Sequence, residues 1–161
     1  MKRRTFIQGS LAVLLMSRGL TAVAASVSEA QFEITRTEAQ WRALLSNFEY
    51  EVMREEATER AHSSPLNNEK RTGIFHCKGC DLALYDSATK YDSGTGWPSF
   101  YDSLPNAVAT KPDRSWFVTR TEVHCRRCGS HLGHIFDDGP APTGLRHCIN
   151  GVALTFKVAN T

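Results

Sequence analysis

No apolar run in this chain approaches the roughly 20 residues that cross a bilayer. The apolar stretch near the start, Leu11-Ala-Val-Leu-Leu-Met16, is far too short, which excludes a membrane bundle. Low-complexity segments are absent, and so is any internal repeat beyond a cysteine pair that occurs twice. Excess charge of one sign is also lacking: 19 Lys and Arg face 17 Asp and Glu. Four of those bases, Lys2, Arg3, Arg4 and Arg18, fall in the first 24 residues, which carry no acid. The remainder holds 15 bases against 17 acids, so a basic surface made for nucleic acid is excluded. With 41% hydrophobic and 22% charged residues in 161, the chain is neither a disordered tail nor long enough for two domains.

The first 24 residues read as an address. A positive start is followed by the apolar stretch and then by Ala22-Val-Ala24, the small-x-small pattern of signal cleavage. Arg3-Arg4 followed by Phe6 and Ile7 resembles the twin-arginine signal, which exports proteins already folded. No cysteine follows the apolar stretch, so a lipoprotein anchor is excluded. The expectation is a periplasmic or otherwise exported protein, free of the membrane after cleavage. Its parts are a signal over 1–24, a lead-in over 25–36 and one domain over 37–161.

Thr37 with Gln40 fits a capping box, and Trp41, Leu44, Leu45 and Phe48 follow at helical spacing. A second short helix is expected after Ser46-Asn47. From Thr72 the texture turns to short aromatic and β-branched runs: Gly73–Cys77, Ser115–Val123 and Ile149–Val158. The fold class predicted is mainly β, an antiparallel core with a helical N-terminal arm.

Cys77-Lys-Gly-Cys80 and Cys125-Arg-Arg-Cys128 are C-x-x-C pairs separated by 44 residues. Two such turns can supply a tetrahedral thiolate shell, so Cys77, Cys80, Cys125 and Cys128 read as ligands of one structural zinc per chain. Disulfides, a redox motif and an iron–sulfur cluster are the rivals, although the ferredoxin spacings are missing. Cys148 is then left over. Strand alternation puts Arg146, Cys148 and Asn150 on one face, continuing as Val152, Leu154, Phe156 and Val158 unless Gly151 makes a bulge. A cation beside a thiol lowers its pKa and favours the nucleophilic thiolate. His131 and His134 follow the second knuckle as candidate general acids. The loop Asp92–Phe100, rich in Gly and Pro, presents Trp97 and Phe100.

These residues together resemble the type B methionine sulfoxide reductases. The resemblance is carried by the two C-x-x-C pairs, Gly94-Thr-Gly-Trp-Pro-Ser-Phe100, Ser130-His-Leu-Gly-His-Ile-Phe136, Asp138-Gly-Pro140 and Arg146-His-Cys-Ile-Asn150. It spans roughly residues 36–158. It implies a β-tent of two antiparallel sheets with a structural zinc far from the chemistry. It also implies reduction of methionine-R-sulfoxide, free or protein-bound. Cys148 would be the nucleophile and pass through a sulfenic acid. His131 and His134 would protonate the departing oxygen, with Asp138 and Asn150 as supporting partners. Arg146 would sit beside the thiolate, and Trp97 and Phe100 would receive the substrate's methyl group. Many members carry a resolving cysteine where this chain has Thr95, so the resemblance implies a one-cysteine variant. Its reductant would come from outside, as a thioredoxin-like protein or a small thiol. The competing class is a non-enzymatic zinc-ribbon-like binding module.

Overall fold

The computed structural model describes residues 32–114 and 118–159. The expected export signal lies outside the described residues, as do Ser115, Trp116 and Phe117 of one expected strand.

Helix α1 (Glu38–Leu44) opens on the expected capping box: the Thr37 hydroxyl accepts from the Gln40 N–H, and the Gln40 side chain accepts from the Thr37 N–H. Ser46 and Glu49 repeat the device at α2 (Asn47–Glu55). The extended residues Leu45 and Ser46 break what one continuous helix would have kept on a single stripe. Trp41 and Leu45 are therefore buried, whereas Leu44 and Phe48 are about half exposed.

The described strands form two antiparallel sheets, as expected. In the smaller sheet β1 (Gly73–Cys77) lies between β2 (Ala83–Asp86) and β9 (Leu154–Val158). The larger sheet runs in the order β3 (Lys90–Tyr91), β4 (Ser99–Phe100), β8 (Arg146–Ile149), β7 (His131–Phe136), β6 (Arg120–Cys125), β5 (Val108–Asp113). Sequence patterning gives no hint of β5, which is mostly polar and contains Pro112. It is an edge strand, the place in a sheet where a residue without an N–H is tolerated.

Two expectations are corrected here. The run from Leu145 to Val158 is not one strand. β8 stops at Ile149, Asn150 leads into a 3₁₀ turn over Gly151–Ala153, and β9 begins at Leu154 in the other sheet. Gly151 permits the turn by passing close to Ser64; a Cβ there would lie 1.9 Å from the Ser64 hydroxyl oxygen. The face carrying Arg146, Cys148 and Asn150 thus ends with Asn150, and Val158 is half exposed. Phe100, expected in a pocket, is instead fully buried. Its ring stacks on Tyr85 at 4.3 Å between centroids and meets the edge of Phe75 at 5.0 Å. Burying such a side chain contributes about 1.5–3 kcal/mol, so Phe100 belongs to the core that supports β4.

Candidate active site

Each C-x-x-C pair closes a tight turn at the end of a strand. The Asp81 N–H donates to the Cys77 carbonyl and the Gly129 N–H to the Cys125 carbonyl. Cys77 and Cys80 come from the small sheet and Cys125 and Cys128 from the large one, and all four sulfurs lie within 4.8 Å of one another. The Cys77–Cys128 and Cys80–Cys125 sulfurs are 3.7 and 3.5 Å apart, whereas a disulfide measures about 2.05 Å. None of the five cysteines is in a disulfide. Four sulfurs bound tetrahedrally at about 2.3 Å would stand about 3.8 Å apart, so the cluster fits a four-coordinate thiophilic metal ion.

Cys148 lies elsewhere. The knuckle of Cys125 and Cys128 forms the turn of the β6–β7 hairpin, while Cys148 is level, through His134, with Glu122, three residues and roughly 10 Å along β6. Cys148 stands at the middle of β8, with Ser99 of β4 and His134 of β7 as its register partners. Residues paired across antiparallel strands project to the same face, so thiol and imidazole share one side. The strands approach closely here: a Cβ on Gly133 would fall 2.0 Å from the Cys148 carbonyl oxygen.

His131 and His134 are three apart, which in a regular strand would put them on opposite faces. A bulge resolves this. His124 pairs with His131 and Val123 with Gly133, leaving Leu132 as the extra residue. Both rings then lie on the Cys148 face, 5.4 Å apart between centroids. His131 is buried, its Nδ1 2.9 Å from the Glu122 carboxylate, which in turn pairs with Lys111. The His131 Nε2 is buried without a hydrogen-bond partner. The His134 Nε2 is 2.9 Å from an Asp113 carboxylate oxygen.

A pocket of about 150 Å³ opens over the thiol, lined by Thr58, Trp97, Arg120, Gly133, His134, Phe136, Cys148 and Asn150. Four expected residues therefore meet there: Cys148, His134, Trp97 and Asn150. His131 packs behind His134 rather than in the wall. Arg146 sits over the Phe136 ring at 4.4 Å and makes a two-pronged ion pair with Asp138. Asp138 thus holds Arg146, not the histidines. The Asn150 amide is occupied by backbone, accepting from the Glu59 N–H and donating to the Leu132 carbonyl. Phe136, Arg120 and Thr58 escaped the residue-by-residue reading. Phe136 was within reach, since two residues beyond His134 on a strand is the same face.

Burial pushes the Cys148 thiol up, and the Arg146 guanidinium and Thr95 hydroxyl pull only part of it back. The guanidinium acts in the expected direction, but the net shift is upward because desolvating a thiolate costs more than one partly paired Arg returns. Burial likewise pushes His131 down to about 4. It lowers His134 as well, with the Asp113 carboxylate opposing. Thr95 stands beside the thiol: its hydroxyl is 2.8 Å from that of Ser93, which reaches Ser99 at 2.8 Å.

A lone thiol beneath a small aromatic pocket, with imidazoles on its own face, is an arrangement suited to thiol chemistry. Residues 45–158 match the SelR domain family. The peptide methionine sulfoxide reductase MsrB of Pseudomonas putida is 52% identical over 126 residues, 78% of this chain and 95% of that protein. The protein of the same name from Methanosarcina barkeri is 50% identical over 129 residues, 80% of this chain and 91% of its own. The crystal structure of the Mis18 'Yippee-like' domain matches at 19% identity and a TM-score of 0.46, over 56% of this chain and 100% of that one, too weak a likeness to carry an argument. The chain belongs to the type B methionine sulfoxide reductase family and is an enzyme of methionine sulfoxide reduction.

Proposed function

We propose that the chain reduces the R epimer of methionine sulfoxide, free or protein-bound, through a sulfenic acid on Cys148. The observation that carries this is the placement of the thiol on one face with His134, under Trp97 and Phe136. The Cys148 sulfur attacks the sulfoxide sulfur, and the departing oxygen takes a proton on its way to Cys148. Two electrons pass from the thiol to the substrate, giving methionine and Cys148 sulfenic acid. His134, with its Nε2 engaged by Asp113, has its second ring nitrogen left to serve the oxygen. His131 supports it from behind. Arg146, held by Asp138, stabilises the thiolate, and Trp97 receives the apolar end of the substrate.

With Thr95 beside Cys148 and the other four cysteines gathered in the cluster, the sulfenic acid has no resolving thiol. Two equivalents of an external thiol, a small one or a thioredoxin-like protein, then yield a disulfide, water and the free thiol. The cluster is read as a structural zinc site, one ion per chain. The segment over 1–24, with Arg3-Arg4, supports export by the twin-arginine route and a role in repairing oxidised proteins outside the cytosol. Separate assays of the two epimers with dithiothreitol test the central reading. Turnover of the R epimer alone is expected; turnover of the S epimer alone, or of neither, overturns it.

A further inference from the structure

Glu59 is 1% exposed, a rare position for a carboxylate. Its carboxylate oxygens accept from two backbone groups, the Gly151 N–H at 2.5 Å and the Val152 N–H at 3.1 Å. Its own N–H donates to the Asn150 amide oxygen at 3.0 Å, and its carbonyl accepts from the Trp97 indole N–H at 3.0 Å. One residue thus reaches two walls of the pocket. It touches neither the cavity nor the thiol; its neighbour Thr58 lines the pocket instead.

The arrangement has a physical logic. Asn150 stands at the N-cap of the Gly151–Ala153 turn, where its side chain would ordinarily accept from the turn's free N–H groups, yet it makes no such bond. The Glu59 carboxylate caps the turn from outside and leaves the Asn150 amide free to bridge Glu59 and Leu132. Those N–H groups offset the cost of burying the charge. We propose that Glu59 is the positioning residue of this pocket: by capping the turn in place of Asn150 it fixes the Asn150 amide, and through its carbonyl it fixes the Trp97 wall. This rests on the reductase reading, and it adds a residue that acts on substrate binding without meeting substrate.

The test uses the whole mature chain, with Glu59→Gln as the first variant. Glutamine keeps the shape but turns an NH₂ group toward a backbone N–H. Losing one such bond should raise KM for the R-sulfoxide about three- to tenfold. Metal content and iodoacetamide reactivity of Cys148 should stay as in the wild type. In a Trp97→Phe background, which lacks the indole N–H, the effect of Glu59→Gln on KM should be smaller than in the wild type, because only the route through Asn150 remains. Fully additive effects, or an unchanged KM in the single variant, overturn the proposal.

If Glu59→Gln does not fold, Glu59→Asp, one methylene short of both N–H groups, takes its place with the same expectations. The Trp97 indole N–H signal, assigned by its loss in Trp97→Phe, gives a readout free of turnover. It should shift and exchange faster with solvent in either Glu59 variant, and an unmoved signal counts against the proposal. A wild type that reduces neither epimer would defeat the reductase reading, while this signal would still decide whether Glu59 holds Trp97.

Discussion

Four of the five cysteines stand in a cluster between the sheets, and the fifth stands alone on β8 under an open pocket. The clustered thiols are held by tight backbone turns and have one another as neighbours. Cys148 has an imidazole, a guanidinium and a hydroxyl around it, with room above for a guest. The same side chain thus has two settings, one among its own kind and one among groups of other chemistry. Convergence of like groups favours a metal; isolation beside an acid and a cation favours a nucleophile.

The sharpest break of this comparison exchanges one sulfur in each region. Cys148→Ser should lower turnover by about 10⁴-fold or more while metal content and melting stay unchanged. Cys125→Ser should lose the metal and the fold with it, since ligation energy at a structural site, of about 10 kcal/mol or more, is folding energy. Elemental analysis and circular dichroism of both variants check this, and a folded, active Cys125→Ser would erase the distinction. Within the pocket, His134→Ala should cost about 10²–10⁴-fold in turnover and His131→Ala less, because only His134 lines the cavity. Steady-state rates with both folds intact would show it.

A smaller effect sharpens the comparison through pH. The folded state holds His131 at about 4 against an ordinary 6.5. The unfolded chain therefore binds the proton first. The stability contributed is complete above pH 6.5 and is lost as pH falls toward 4, amounting to about 3 kcal/mol from this residue. Urea melts of His131→Gln should show a shallower decline over that interval than the wild type. Thr95→Cys should change the product rather than the rate. After one turnover without reductant, mass spectrometry should find a disulfide to Cys148 instead of one added oxygen. Least in size, Arg146→Ala should move the alkylation midpoint of Cys148 to higher pH, because the guanidinium lowers that thiol's pKa.

What could be read in advance follows from how local each signal is. The C-x-x-C pairs, the Thr37 box and Gly73–Cys77 are complete within a few residues, and all three form as patterned. Strand β5 is invisible because an edge strand can be polar. The Leu132 bulge is invisible because nothing in His131-Leu-Gly-His134 says that the register will slip, yet it alone puts both imidazoles on one face. Phe100, read as part of a loop that presents it, is turned into the core by packing, and Phe136, which drew no reading of its own, lines the pocket. Glu59 sits in a polar stretch that reads as solvated; its burial depends on a turn 92 residues away.

The chain leaves the six-stranded sheet at Ile149, directly after Cys148, and enters the other at Leu154. The sulfur cluster gathers residues of both sheets at this same end, where Leu154 pairs with Cys77 and the Lys78 N–H donates to the Ala153 carbonyl. Two layers joined twice at one end cannot part there until both junctions open. Amide protons at the end of β8 and the start of β9 should then exchange with solvent only through opening of the whole domain, at its full unfolding free energy. The shape around Cys148 would be lost last, and all at once.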